Sequence, residues 1–358
     1  MKKSSLPCAA MLATTGAFAQ SSVTVYGVVD TSIGSYSNGV ASTVKMVQGG
    51  LIPSQLGFRG TGDLGGGLSA KFILETGINT DSGLGIASNS NNQSTGASTS
   101  DAMTFNRRAV VSLLGSWGEV RLGRDYTPAN YGLVKFDPFF ANGVAQSSNL
   151  NLQGAGFTGV RASNSIAYLY NDDGFSQYND GLYGKVMAWV GENSSTAANR
   201  DDGSGFGFRV GYRQGPLNVS FATQKSKVLA FGDMRMTNIG ASYDIGFAEL
   251  VAQYDVANSG LPGTRHGNLL VGAKIKAGNG YIPVSMNSLR VNDAAGRKAI
   301  MLGIGYVYTL SKRTSLYTSF AYLDNRNAAS AFGINPGGLG GVAGRDGRAV
   351  ELGVKHSF

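Results

Sequence analysis

Apolar and polar residues alternate with a period of two along most of this chain. In residues 23–30 the odd positions are apolar or glycine, whereas the even positions include Thr24, Tyr26 and Asp30. Such alternation is typical of β-strands with one apolar and one polar face. Bounded by glycine, asparagine, aspartate or proline, the pattern predicts sixteen strands. They cover residues 23–33, 56–61, 70–76, 107–114, 120–124, 161–170, 183–190, 205–213, 216–224, 236–244, 247–255, 267–276, 279–288, 298–309, 314–323 and 348–358.

The connections between these strands alternate between short turns and long polar loops. The short turns include residues 115–117, 214–216, 245–246, 277–278 and 311–313, and the long loops include residues 34–53, 78–104, 125–160, 191–204, 225–235, 256–266 and 324–347. A barrel inserted into a membrane from one side has short turns on one rim and long loops on the other. A β-sandwich has no reason to alternate so regularly. We therefore predict an all-β protein, a sixteen-stranded antiparallel transmembrane β-barrel.

The last predicted strand ends on an aromatic residue, Phe358. Apolar residues occupy alternate positions up to this end, which is typical of a closing barrel strand whose aromatic terminus lies at the membrane interface. The alternative is an ordinary edge strand that happens to end in phenylalanine.

The N-terminus has the features of a secretory signal peptide. Lys2 and Lys3 precede a small-residue and apolar stretch over 6–18, and residues 17–19 read Ala-Phe-Ala, an A-x-A cleavage site. We predict that residues 1–19 are removed and that residues 20–358 form the mature barrel domain. Cys8 is the only cysteine, so the mature chain can hold neither a disulfide nor a thiolate site.

Composition and charge exclude several function classes. The formal charge of +8 falls to +6 without the two N-terminal lysines, and the other cations are scattered, so no nucleic-acid footprint appears. Scattered cations on a pore wall favour anions. The chain has only 2 histidines and none of the common catalytic motifs, which argues against an enzyme. No ligand spacing predicts a metal, and we predict no cofactor.

Several segments resemble the trimeric general porins of Gram-negative bacteria, nearest to the beta-proteobacterial and neisserial type. They are SVTVYGVVD at 22–30, LGFRGTGDLGGGLSAK at 56–71, VRLGRDYTP at 120–128, RASNSIAY at 161–168 and the terminal HSF. The resemblance implies an outer-membrane homotrimer that contacts outer-membrane lipids and is folded by the barrel-assembly machinery, which would read Phe358 as its signal. It also implies that the third long loop, residues 125–160, folds inward and constricts the pore.

The resemblance implies a basic row on the wall at this constriction. Strand parity turns Arg59 and Arg161 toward the lumen, and one of Arg107 and Arg108 must face it, with Arg107 favoured by match. Family members commonly have arginine at the position of Gln55. That difference removes one positive charge from the row. Each arginine could instead be an ordinary lumen or rim residue.

The loop is expected to carry the opposing acidic group. Asp137 is the acidic candidate, with Lys135 two residues before it. Asp137 could equally bind the loop backbone before Pro138, a common role for aspartate in turns.

These features predict a general diffusion porin, a water-filled pore for small hydrophilic solutes and inorganic ions with modest anion selectivity. A substrate-specific outer-membrane channel is the main alternative, followed by a surface adhesin.

Overall fold

A computed structural model describes residues 22–97, 103–150, 158–172, 179–230, 232–261, 263–335 and 338–358. The predicted signal peptide, residues 1–19, and residues 151–157 of the predicted constriction loop lie outside the described residues. Nearly all regular structure in the described part is β-strand.

The strands and the α-helix follow one another along the chain with the bounds below. They are β1 Ser22–Ser37, β2 Ser42–Gln48, β3 Gln55–Gly65, β4 Leu68–Gly77, β5 Arg108–Gly115, β6 Gly118–Tyr126, α1 Pro128–Lys135, β7 Arg161–Tyr170, β8 Gly181–Trp189, β9 Gly205–Gln214, β10 Leu217–Ser226, β11 Met234–Asp244, β12 Ala248–Asn258, β13 His266–Ala277, β14 Gly280–Val291, β15 Lys298–Thr309, β16 Thr314–Asn325 and β17 Gly347–Ser357. Short 3-10 turns occur at Ser94–Gly96 and Ser147–Asn149. No helix in the described ranges is long and apolar enough to cross a membrane.

The strands form one closed antiparallel barrel. From β3 onward each strand pairs with the next, and β17 pairs back onto β1, with Val28 opposite Ser357. Both β2 and β3 pair with β1, so they are two halves of one interrupted strand. The barrel is therefore sixteen-stranded. Closure leaves no strand edge unpaired, as a membrane-spanning sheet requires.

The interruption between β2 and β3 is held by Asp30. Its carboxylate accepts hydrogen bonds at 2.8 Å from the backbone N–H groups of Leu51 and Ile52, and at 2.5 Å from the Tyr317 hydroxyl.

The prediction of a long loop over residues 34–53 is wrong, because β1 continues to Ser37 and β2 occupies much of that range. Polar residues at Ser42 and Thr43 weaken the alternation there.

The third loop begins later than predicted and contains a helix. Strand β6 continues to Tyr126, and α1 follows at once. Pro128 takes the first helical turn, where its missing N–H has no hydrogen bond to lose. In the predicted loop over residues 125–160, Asp125 and Tyr126 therefore belong to β6, and α1 follows over Pro128–Lys135.

Side chains alternate between a buried inner face and an exposed outer face. In β16, Tyr317 and Ala321 are buried, whereas Leu316 and Phe320 are exposed. Exposed apolar side chains on every second position are what a lipid-facing surface requires. Exposed aromatic residues near the short-turn rim include Trp117, Tyr168, Tyr212, Tyr243, Phe247 and Phe358.

Phe358, the last residue, also takes part in closing the barrel. Its backbone exchanges two hydrogen bonds of 3.1 Å with Gly27 of β1. Its ring lies over Gly27, where a side chain would overlap it. The final aromatic residue thus has a structural partner on the first strand.

Candidate functional site

The third loop lies against the inner face of the barrel. Helix α1 contacts β8 to β11. The residues after it pack on inward-facing glycines, with Phe136 against Gly240 and Pro138 against Gly272. A Cβ at Gly272 would lie 2.7 Å from Pro138, and one at Gly240 would overlap the Phe136 ring. These wall positions must lack side chains for the loop to lie so close.

The loop tip is tied to the closing strands of the barrel. The backbone N–H of Val144 donates to Glu351 Oε1 at 3.0 Å, and the Ser32 hydroxyl donates to Glu351 Oε2 at 3.1 Å. Glu351 lies on the inner face of β17 and is 1% exposed. One wall carboxylate thus joins the loop to β1 and β17.

Asp137 shapes the loop and does not face the pore. Its carboxylate accepts hydrogen bonds from the backbone N–H groups of Phe139 at 2.8 Å and Ser147 at 2.9 Å. The side chain is 1% exposed, and burial raises its pKa. The expectation that Asp137 is the acidic group of the constriction is therefore wrong. The turn role holds instead, because the carboxylate satisfies backbone donors that the loop leaves without partners.

A cavity of about 730 Å³ separates the loop from the opposite wall of the barrel. The wall side is formed by strands β1 and β3 to β7, and the loop side by residues 130–148. Among the residues that the structure describes, the charged ones that line it are Arg59, Arg107, Arg108, Arg161, Lys135 and Glu75. Even with Lys135 left out, four arginines face one glutamate. We call these four arginines the arginine wall.

Tyr126 organises three members of the arginine wall. The guanidinium carbons of Arg161, Arg108 and Arg107 lie 4.2, 5.2 and 5.9 Å from the centre of its ring. Arg161 also donates a hydrogen bond of 2.7 Å to the Tyr126 hydroxyl. Cation–π contacts of this kind hold cations near one another without neutralising them. Arg59 makes the same type of contact, 4.9 Å from the ring of Tyr26.

The four arginines differ in whether a carboxylate neutralises them. Arg107 pairs with Glu75 at 2.8 Å, and Arg108 pairs with Asp125 at 3.3 Å. In the described part of the chain, no carboxylate lies within 4.0 Å of Arg59 or Arg161. These two arginines present uncompensated positive charge to the cavity.

A second group of cations lies behind helix α1, and each of these cations pairs with a carboxylate. Asp125 accepts Arg121 and Lys185 at 2.7 Å each, and Arg209 pairs with Asp172 at 3.0 Å. All five side chains are at most 5% exposed. We call them the covered wall.

Helix α1 contacts the covered wall through the side chain of Tyr131. The Tyr131 ring lies 4.9 Å from the Lys185 ammonium and 5.3 Å from the Arg209 guanidinium. Its hydroxyl accepts a hydrogen bond of 2.9 Å from Arg108. The helix thus covers one group of cations and leaves the arginine wall facing the cavity.

Six of the seven predicted constriction residues line the cavity: Gln55, Arg59, Arg107, Arg108, Lys135 and Arg161. The expectation that only one of Arg107 and Arg108 faces inward is wrong. Arg108 has the inward parity of Val110 and Ser112, while Arg107 precedes the strand and turns toward Glu75. Strand parity does not constrain a residue outside the strand.

Sequence reasoning missed two residues that determine the site. Glu75 has the inward parity of Ile73 and Lys71 in a predicted strand, so the same argument that gave Arg59 could have found it. The sequence predicts Tyr126 inside a loop, and no signal in the sequence indicates that its ring contacts three arginines. Among the described residues no group of three or more histidine, cysteine, aspartate or glutamate side chains could hold a metal ion.

Comparisons with known proteins agree with this geometry. The model of the Gram-negative porin family matches residues 8–328. The outer membrane porin protein 32 of Delftia acidovorans is 34% identical over 374 residues, covering 100% of both chains. The solved anion-selective porin from Comamonas acidovorans superposes with a TM-score of 0.81 at 32% identity, over 95% of this chain and 100% of that one.

A more distant structure shares the fold alone. The in-vitro folded OmpT of Vibrio cholerae in its trimer form has a TM-score of 0.63 at 12% identity, over 94% of this chain and 99% of that one. From the family match and the full-length relative, the chain belongs to the Gram-negative porin family. It is a porin of the outer membrane, and this family and fold are those of channels.

Proposed function

We propose that this member of the Gram-negative porin family is a general diffusion porin that prefers anions, and that its selectivity comes from the arginine wall. The observation that carries the proposal is the imbalance of charge in the cavity, where, among the described residues, four arginines face the single carboxylate of Glu75. Rings of charged side chains of one sign set ion preference in aqueous pores. The relative in Comamonas acidovorans, described as anion-selective, supports the same direction.

The proposed mechanism is passive. An anion entering the cavity meets Arg59 and Arg161, whose charge has no carboxylate partner, and exchanges part of its hydration for contact with their guanidinium groups. Guanidinium groups remain protonated at all physiological pH values, so the preference needs no proton transfer. No catalytic step is required, and we propose that the protein is not an enzyme.

The third loop, which begins after Tyr126, contributes Lys135 to the cavity and, from its described residues, no acidic side chain, in contrast to the expectation from the sequence. Opposed charge therefore comes from Glu75 on the wall itself. We propose that the loop constricts the pore by its volume and leaves selectivity to the wall.

We also propose that residues 1–19 are removed as a signal peptide, that residues 20–358 are the mature barrel, and that it assembles as a homotrimer. The barrel-assembly machinery would read Phe358, and the outer face of the barrel would contact outer-membrane lipids. N-terminal sequencing of protein from outer membranes should begin at Gln20, and a protein that begins at Met1 would contradict the processing.

The function is tested by planar-bilayer recording of refolded residues 20–358 under a tenfold KCl gradient. We expect a reversal potential of anion-selective sign and conductance steps in groups of three. A cation-selective potential would contradict the role of the arginine wall. Swelling of liposomes in neutral sugars should decline smoothly with sugar size, whereas saturation by one sugar would indicate a substrate-specific channel.

A further inference from the structure

The outer face of the barrel carries a group of cations at the rim of the long loops. Arg265 immediately precedes β13, Arg290 is the last residue but one of β14, and Lys298 is the first residue of β15; all three side chains are exposed. Arg290 lies directly opposite Lys298 in the strand pairing. The backbone N–H of Asn292 bonds to the carbonyl of Arg265, which brings Arg265 to the same edge. We call these three residues the rim cations.

The rim cations border a cleft on the membrane-facing side. It has a volume of about 480 Å³, and its lining includes Tyr254, Gly267, Ser288 and two of the rim cations, Arg265 and Arg290. Gly267 lies opposite Arg290 on the neighbouring strand. Because Gly267 has no side chain, the Tyr254 hydroxyl lies close over it, only 2.6 Å from where a Cβ would be, and Tyr254 lines the cleft together with Arg290.

No carboxylate neutralises the rim cations. Within the described ranges, no acidic oxygen lies within 4.0 Å of any of them. The nearby acidic side chains are already engaged, Asp293 with Arg297 at 2.5 Å and Asp324 with Arg326 at 2.7 Å. Like charges directly opposite one another in a sheet are destabilising. An anion in the cleft would relieve this repulsion.

The surface just below the cleft is apolar. Leu269, Met286 and Leu302 are exposed on the outer faces of the same three strands. A ligand at this place therefore meets cations at one end and hydrocarbon-facing side chains at the other. A membrane lipid has this arrangement, with an anionic headgroup above its acyl chains.

We propose that the rim cations bind the phosphate of a lipid headgroup in the membrane leaflet next to the long loops. Arginine suits this ligand because its planar guanidinium can donate two parallel hydrogen bonds to phosphate oxygens. Tyr254 and Ser288 add hydroxyl groups at the wall of the cleft. The site lies on the opposite face of the barrel from the arginine wall and is independent of ion selectivity.

Native mass spectrometry of the full barrel in detergent tests the proposal. The probe is dilauroyl phosphatidic acid, compared with dilauroylglycerol, which lacks the phosphate. We expect the protein to retain the phosphate lipid, and Arg265→Gln/Arg290→Gln/Lys298→Gln to retain it at least tenfold less. The matched control is Arg235→Gln/Arg348→Gln, which removes exposed cations from the starts of β11 and β17, outside the cleft.

The outcomes separate this site from its alternatives. Equal retention by the triple variant, or equal loss in the control, would overturn the proposal. Displacement of the lipid by an equal concentration of inorganic phosphate would make the cleft a free-anion site and would also overturn it. A change of oligomeric mass without a change in bound lipid would assign the rim cations to a contact between copies. Unchanged conductance in the triple variant shows that the barrel is folded.

Discussion

The arginine wall and the covered wall use the same kinds of residue for different purposes. Both place cations on the inner face of neighbouring strands, and both surround a tyrosine ring with them. On the covered wall, Lys185 and Arg209 have carboxylate partners within 3.0 Å and lie under helix α1. On the arginine wall, Arg59 and Arg161 have none in the described chain and border the cavity. A cation that pairs with a carboxylate therefore stabilises the fold, whereas an unpaired cation of the same residue type can attract anions into the pore.

The third loop covers the paired cations and leaves the unpaired arginines facing the cavity. Its helix lies over the neutralised pairs and its tip reaches Glu351 on the far side of the barrel. A buried charge without a partner is very unfavourable, so only the paired cations can be covered. The unpaired arginines must remain in contact with water, and the pore supplies that water.

The largest expected effect comes from breaking the covered wall at Asp125. Asp125→Asn leaves Arg121 and Lys185 buried without their shared carboxylate. Removing one partner of a buried pair typically costs about 3–5 kcal/mol. Urea unfolding of the refolded barrel should show this loss of stability.

Asp201→Asn is the matched control for Asp125→Asn. Asp201 pairs with Lys227 at 3.0 Å on an exposed loop. Exposed pairs contribute little to stability, so we expect no measurable change. Equal unfolding midpoints for the two variants would contradict the difference between buried and exposed pairs.

A smaller loss of stability is expected from displacing the third loop from its contact with the barrel wall. Gly240→Val adds a side chain where the Phe136 ring lies. Overpacking of this kind typically costs about 1–3 kcal/mol, and it should push the loop toward the arginine wall. Single-channel conductance is therefore expected to fall. Gly340→Val, at a position with no atom near a new Cβ, should leave conductance unchanged.

Neutralising Glu75 should increase the difference in charge between the two walls. Glu75→Gln releases Arg107 from its pair and removes the only negative charge that the described residues bring to the cavity. One unit charge at 4 Å in water is worth about 1 kcal/mol, or about a fivefold change in local anion concentration before salt screening. The anion-to-cation permeability ratio should rise. A fall in that ratio would show that Glu75 does not oppose the arginines.

The smallest expected effect concerns pH and Lys135. Burial lowers the pKa of its ammonium group, with Glu249 opposing the shift and Lys274 adding to it. Lys135 therefore loses its charge at a lower pH than an ordinary lysine, and anion preference should decline slightly as pH rises toward about 10. Lys135→Gln should lack this component of the pH dependence. An identical pH profile in the variant would rule out a contribution from Lys135.

The barrel was predictable because alternation is a local property. Most of the strands, the short turns and the closing aromatic strand could be inferred from residues close together in the chain. Of the interrupted second strand, β3 was predicted as the strand over residues 56–61, whereas β2 was missed because it is short and its alternation is weak. The turn between the two halves also depends on the distant Asp30. Parity placed Arg59 and Arg161 correctly for the same local reason.

The division between the two walls could not be predicted, because it depends on long-range pairs. Arg107 lies 32 residues from Glu75, and Lys185 lies 60 residues from Asp125. The sequence predicts Asp137 as the acidic residue of the constriction because it shows the charge of the side chain and not its hydrogen-bond partners. Its backbone partners, Phe139 and Ser147, are defined only by the fold of the loop.

The most direct measurement is the reversal potential of two double variants beside the parent protein, under one KCl gradient. Arg59→Gln/Arg161→Gln removes the two uncompensated charges, whereas Glu75→Gln/Arg107→Gln removes a neutral pair from the same cavity. We predict that the first variant loses most of its anion preference and that the second keeps it. Equal shifts in both, or a larger shift in the second, would contradict the claim that uncompensated arginines select the anion.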